Sequence, residues 1–130
     1  MKFKTKKRKI GDLGEDLACL FLVKHGMRII DRNYLKPWGE IDVVARSSRG
    51  VHFVEVKAVS RVTGNNVSRE TINPEEHVTR EKKERLSRAI QTYLADRHIS
   101  HETSFQVDVI TVKIDTIQKT ALVEVFEKIM

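Results

Sequence analysis

Apolar positions recur at helical spacing from about Gly11 to His25, where Leu13, Leu17, Leu20 and Phe21 follow the three-to-four-residue rhythm of an amphipathic helix. At about 100° per residue the second half of this segment is apolar all round, which predicts a largely buried helix. On the same wheel Glu15 falls near Ala18, Cys19 and Leu22, so its carboxylate is expected to be partly desolvated and in need of a partner. Gly26 supplies a stop. The rhythm then changes to short β-rich runs: Met27 to Asn33, Glu40 to Arg46 and Val51 to Val59. Lys36-Pro37-Trp38-Gly39 reads as the first turn between them, and Arg46-Ser47-Ser48-Arg49-Gly50 as a hairpin loop. A polar stretch with Gly64-Asn65-Asn66 predicts a mobile loop. Asn73-Pro74-Glu75-Glu76 carries a helix-start signature: Asn as cap, Pro first, Glu third. The second helix is expected to reach about Arg97, burying Leu86, Ala89, Ile90, Tyr93 and Leu94. Two more strands, Phe105 to Val112 and Ala121 to Phe126, complete the order α-β-β-β-α-β-β. That order predicts an α/β fold, a central mixed β-sheet flanked by helices.

A chain of 130 residues with 40% hydrophobic content suits one domain with a genuine core. Its single cysteine, Cys19, excludes an internal disulfide, and the expected compartment is the cytoplasm. The formal charge of +6 is unevenly placed. Lys2, Lys4, Lys6, Lys7, Arg8 and Lys9 crowd the first nine positions, and the remainder carries 18 charges of each sign. Residues 1–9 are therefore expected to form a basic flexible arm, and residues 10–130 the single domain. Such an arm favours polyanions, with a passive solvated tail as the plain alternative. A secretory signal is not expected. The apolar run Leu17 to Val23 is short, acids precede it, and no small-residue cleavage site follows. No apolar stretch approaches the ~20 residues of a membrane span.

The candidate chemistry sits on two neighbouring strands. Side chains alternate along a strand, so Val51, Phe53, Glu55 and Lys57 share one face of the third run. Ile41, Val43 and Ala45 share a face of the second run, with Glu40, Asp42 and Val44 opposite. A hairpin placing Arg46 against Val51 sets Asp42 against Glu55 and Glu40 against Lys57. Two opposed carboxylates are tolerable when a cation or a shared proton lies between them. A hard cation such as Mg²⁺ would be satisfied by Asp42, Glu55, the backbone carbonyl of Val56 and water. Lys57 would then orient a water or stabilise charge on a phosphate. An isolated Glu-Val-Lys on a strand is more often a surface ion pair. What raises this one is the combination with Asp42 on the partner strand and a buried Glu15 on the preceding helix.

Gly11-Asp12-Leu13-Gly14-Glu15, Arg32-Asn33, Gly39-Glu40-Ile41-Asp42-Val43-Val44-Ala45 and Phe53-Val54-Glu55-Val56-Lys57 together resemble the uncharacterised YraN-like family of endonuclease-like proteins. Val78, Lys82, Leu86, Ala89, Tyr93 and Leu94 fit that family's second helix, and Phe105 to Ile110 its fourth strand. The resemblance runs along nearly the whole chain. It implies membership of the PD-(D/E)xK nuclease superfamily, with a restriction endonuclease-like fold similar to archaeal Holliday-junction resolvases. It implies Glu15, Asp42, Glu55 and Lys57 as catalytic residues, with Asp42, Glu55 and Val56 holding Mg²⁺ or Mn²⁺. Lys82 would touch a phosphate. Two departures stand out. Ile41 occupies the position of the superfamily's proline, and Ala58-Val59-Ser60 replaces a Thr-Arg-like pair after the lysine. Arg61 is the candidate substitute for that arginine.

The expected function is hydrolysis of phosphodiester bonds in DNA, including branched or otherwise structured DNA, by a metal-dependent endonuclease. The alternative is a nucleic-acid-binding protein of the same fold with little or no cleavage. Candidate nucleic-acid contacts are Lys4, Lys6, Lys7, Arg8, Lys9, Arg61 and Lys82. A homodimer is an expected assembly, and no membrane partner is expected. His25, His52, His77, His98 and His101 lack zinc-like spacing, and no glycine-rich phosphate loop is present. Trp38, beside Pro37 in a turn, reads first as the cover of a core edge and second as a stacking platform for a base.

Overall fold

The computed structural model describes residues 4–61 and 79–130. Helix α1 (Lys6–Lys24) is followed by strands β1 (Arg28–Lys36), β2 (Gly39–Ser47) and β3 (Gly50–Arg61). Helix α2 (Arg80–Asp96) and strands β4 (Phe105–Asp115) and β5 (Thr120–Phe126) complete the described order. The five strands form one mixed sheet in the order β1-β2-β3-β4-β5. Every neighbouring pair is antiparallel except β3–β4, which is parallel. The parallel pair follows from the crossover through α2. This is the expected α/β architecture.

The helices cover opposite faces. On one, Leu86, Ala89, Ile90 and Tyr93 of α2 pack on Tyr34, Ile41, Val44, Val51, Phe53 and Val107. On the other, Ala18, Cys19 and Leu22 of α1 pack on Val43, Ala45, Val54, Ile110, Val112 and Ile114. A sheet buried on both faces explains why β3 reads as a continuous apolar run rather than an alternating one. In β2, simple alternation fails at Ile41, which joins Val44 beneath α2 rather than Val43 and Ala45.

Helix α1 ends where expected, just before Gly26, and differs in where it starts and in how far it is buried. It starts at Lys6, where the Thr5 side chain accepts the Arg8 N–H, so Lys6, Lys7, Arg8 and Lys9 form its first turns rather than a flexible arm. The expected boundary at residue 10 falls inside the helix. Its second half is not buried all round, because Leu20 and Val23 are more than half exposed. A single layer of sheet can cover only one side of a helix. The described part of α2 begins at an N-cap, Thr79, whose hydroxyl accepts the Lys82 N–H. The Gly64-Asn65-Asn66 loop and the Asn73-Pro74 helix start lie outside the described residues.

Candidate functional site

The β2–β3 hairpin sets the geometry. Its ladder runs from Ser47–Gly50 through Arg46–Val51 to Val43–Val54, the counted register, and ends there. Below that point β2 stays paired with β1, through Tyr34–Ile41, Leu35–Glu40 and Lys36–Gly39. Asp42 and Glu40 are therefore not ladder partners of Glu55 and Lys57. Asp42 instead turns its own carboxylate to β3, where Oδ2 accepts the N–H of Val56 at 2.8 Å. A side chain thus takes a backbone donor just past the last ladder pair, consistent with buried N–H groups needing acceptors.

Beside this point lies a cleft of about 300 Å³. Asp42 and Glu55 line it from the strands, and Lys82, Arg85 and Leu86 from α2. Lys36, Pro37, Trp38 and Gly39 of the β1–β2 turn close one end. The Lys82 Nζ stands 3.7 Å from Glu55 Oε1. That pair is partly exposed, so it contributes little to stability. It does bring a cation from α2 over the β3 carboxylate.

Asp42 is the electrostatically unusual residue. Burial pushes its carboxyl up to about 7, against the opposing pull of the Val56 N–H, and the charges of Glu15, Glu40 and Glu55 push the same way as burial. Glu15 reaches Asp42 by charge from α1, without lining the cleft itself. Its side chain is 16% exposed, 3.7 Å from the Arg32 guanidinium. Its Oε1 is buried without a hydrogen-bond partner. Burial raises the Glu15 carboxyl, with Arg32 opposing. Arg32 gives its closer contact, 2.8 Å, to Asp16.

The remaining candidates are dispersed. Lys57 is partly buried and makes no ion pair among the described residues, and it is not part of the described cleft lining. The Val56 side chain packs towards the α1 core. Arg61 ends β3 opposite Asp115, and its side chain falls outside the described part. Lys4 pairs with Asp12 at 2.6 Å. Lys6, Lys7, Arg8 and Lys9 are exposed along α1. Arg85 went unread in the sequence, although it lies one helical turn from Lys82 on the same face. Asn33 also went unread as a special position. It adopts φ 52° inside β1, between the pairs Arg32–Val43 and Tyr34–Ile41 and hence opposite Asp42. Asn tolerates this left-handed conformation better than most residues, but nothing short of the fold shows that a strand needs it here.

Among the described residues no group of three or more His, Cys, Asp or Glu side chains is arranged to hold a metal ion. The two acids that line the cleft, Asp42 and Glu55, offer hard carboxylate oxygens, which suit Mg²⁺ or Mn²⁺ better than zinc. Burial, joined by the charges of Glu15, Glu40 and Glu55, disfavours an ionised Asp42, a penalty that a bound cation would relieve. On those grounds the residues present fit a hard divalent ion.

Fold and cleft together define a small α/β protein with an acidic pair in a cleft beneath a basic helix. The chain belongs to the uncharacterised protein family UPF0102, whose profile matches residues 14–112. A UPF0102 protein of Campylobacter jejuni subsp. doylei is 39% identical over 108 residues, 83% of this chain and 87% of that one. One from Moorella thermoacetica is 36% identical over 121 residues, 93% and 94% of the two chains. Among solved structures, SfsA of Pyrococcus furiosus in complex with Ca²⁺ is similar at TM-score 0.36 and 13% identity, covering 93% of this chain and 63% of that one. So loose a likeness carries no argument here. Among the described residues no helix is long and apolar enough to cross a membrane.

Proposed function

We propose that this protein is a divalent-metal-dependent nuclease of the PD-(D/E)xK type, hydrolysing phosphodiester bonds in DNA, with branched or structured DNA among its substrates. The observation that carries the reading is Asp42. It is a partly buried carboxylate pushed up to about 7, it lines one cleft with Glu55, and a lysine from α2 stands over that cleft. Asp42, Glu55 and the Val56 carbonyl are the groups that would hold Mg²⁺ or Mn²⁺. When bound, such an ion supplies charge neutralisation at the phosphate and a more acidic water. The chain's own residues do the rest. Lys82 and Arg85 bind phosphate oxygens, and Glu15 supplies outer negative charge. Lys57 steadies the attacking water or the charge that develops on phosphorus. In the overall reaction water oxygen bonds to phosphorus, one P–O ester bond breaks, and a proton from the water ends on the departing oxygen.

The basic start of α1 supports a polyanionic partner. Lys6, Lys7, Arg8 and Lys9 occupy the positive end of the helix dipole, with no acid in the first turn. Cations there are disfavoured by a few tenths of a kcal/mol to ~1 kcal/mol each, a cost that a bound phosphate backbone offsets. A homodimer is the assembly that would suit a two-fold junction substrate.

The test is a panel of linear, nicked and branched substrates incubated with Mg²⁺ or Mn²⁺. Glu55→Ala is expected to abolish divalent-dependent cleavage while leaving DNA binding intact, because affinity comes mainly from Lys and Arg contacts to the backbone. Lys57→Ala should keep metal binding and lose rate. Full-rate cleavage by Glu55→Ala would place the activity elsewhere. A second reading, a nucleic-acid-binding protein with little or no cleavage, is favoured by the lack of a third metal-ligating side chain among the described residues. It takes over if the wild type binds DNA and cleaves nothing in the panel.

A further inference from the structure

We infer that the cleft takes an unpaired nucleotide, its base against the apolar wall at Trp38 and the adjoining phosphates on Lys82 and Arg85. This rests on the nucleic-acid reading above and narrows it to single-stranded segments: free strands, flaps or the unpaired arms of a branch.

Three observations lead there. The first is shape. The cleft is concave, about 300 Å³, at the small end of the ~300–1,000 Å³ typical of small-molecule pockets. That suits one nucleoside-sized group. A duplex presents a convex backbone with its bases turned inward and has nothing to put into such a cleft.

The second is the order of chemistry along the walls. The floor is partly apolar, with Ile41 and Leu86 from the α2-side core reaching it. A site meant for phosphate alone has no use for such a floor, whereas a base has an apolar face to bury. Trp38 stands at the end of the cleft and is held there. Its Nε1–H donates to Thr92 Oγ1 at 3.3 Å, and the Arg88 guanidinium lies 4.8 Å from its ring centroid. An indole tied to α2 on both counts is a fixed platform rather than a loose turn residue.

The third is the cation row. Lys82 and Arg85, three residues apart on α2, line the cleft, and Arg88, three residues further on, lies over Trp38. Residues at that spacing are neighbours on a helix face. A strand laid along them meets a cation at each step while its base turns inward. Positive groove plus aromatic platform is the general solution for single-stranded nucleic acid.

Trp38 is the only tryptophan in the chain, so its emission reports on the cleft directly. The full-length protein is titrated in EDTA, where cleavage cannot intervene, with a labelled oligothymidylate and with a hairpin duplex of equal length. Anisotropy gives affinity and tryptophan emission gives location. The single strand is expected to quench Trp38 and to bind about tenfold more tightly than the duplex. Trp38→Leu should lose about that factor for the single strand and leave the duplex unchanged, while Trp38→Phe, which keeps a ring, should retain most of it. Arg85→Gln should flatten the log–log salt dependence for the single strand by about 0.7, and Lys24→Gln, at the far end of α1, should not. Equal affinity for both ligands with unmoved emission overturns the inference and leaves the nucleic-acid reading standing. Binding of neither ligand overturns both.

Discussion

At the residue scale the decisive group is Asp42. An unfolded aspartate titrates near its ordinary value of 3.8, and in the fold this one is pushed up to about 7. Between those values the folded state holds a proton that the unfolded chain has released, so stability falls as pH rises through that window. The protonated contribution is complete below about 4 and lost progressively towards 7. Each tenfold difference in proton affinity is worth about 1.4 kcal/mol. Glu15, also raised, acts in the same direction. Asp42→Asn removes the Asp42 share while keeping an oxygen for the Val56 N–H. Urea unfolding in EDTA at several values between about pH 5 and 8 should show the variant gaining on the wild type as pH rises. Added Mg²⁺ should close part of the gap. A difference independent of pH would refute the electrostatic account. That Asp42 and Glu55 lie on neighbouring strands of one hairpin was legible in the sequence, because hairpin counting needs only the loop. Their direct opposition was not, because where a ladder ends depends on how β1 holds β2, and that is not written in the hairpin.

At the element scale, two glycines show how tightly the helices seat on the sheet. A Cβ on Gly14 of α1 would lie 2.3 Å from Ala58 Cβ on β3. One on Gly39 of β2 would lie 2.6 Å from the Arg85 carbonyl oxygen of α2. Neither neighbour can swing aside, since one is a short side chain and the other backbone. Gly14→Ala and Gly39→Ala are each expected to cost about 1–3 kcal/mol, the usual range for overpacking, measured by denaturant midpoint. Gly39→Ala should also shift Trp38 emission, because it lifts α2 from the turn that carries the indole, whereas Gly14→Ala should not. Equal spectra for the two would mean that α2 and the turn are not coupled. Element order and type could be read from periodicity in advance. The start of α1 could not, since six cations in nine residues suggest a solvated tail and outweigh the modest Thr5-x-x-Arg8 cap. Nor could exposure of Leu20 and Val23, because a helical wheel shows where apolar residues point and not how much sheet is there to meet them.

At the scale of the whole molecule, a buried polar cluster ties the hairpin end of the sheet to the chain's last residues. His52 and Asp108 are fully buried, joined from Nδ1 to Oδ2 at 2.9 Å, and His52 Nε2 meets Ser47 Oγ at 2.7 Å. Asp108 also accepts from Gln106 Nε2 and from the Lys128 N–H. Asp108→Ala would leave the buried His52 without its acceptor, while the more exposed Gln106 and Lys128 donors can turn to water, and it is expected to cost roughly 2–3 kcal/mol, the upper part of the range for an unsatisfied buried group. Thermal unfolding measures it, and a loss well under 1 kcal/mol would mean the cluster is dispensable. The parallel β3–β4 junction has a further consequence, for synthesis. β3 ends at Arg61 and its partner begins only at Phe105, so a chain emerging from the ribosome completes the β1–β3 meander long before β4 exists. Until then β3 offers a bare edge whose side chains include Val51, Phe53, Val54 and Val56, an invitation to pair with another nascent chain. A fragment ending at Arg97 should therefore form open-ended, strand-paired aggregates, where the full chain, its β3 edge covered by β4, forms none.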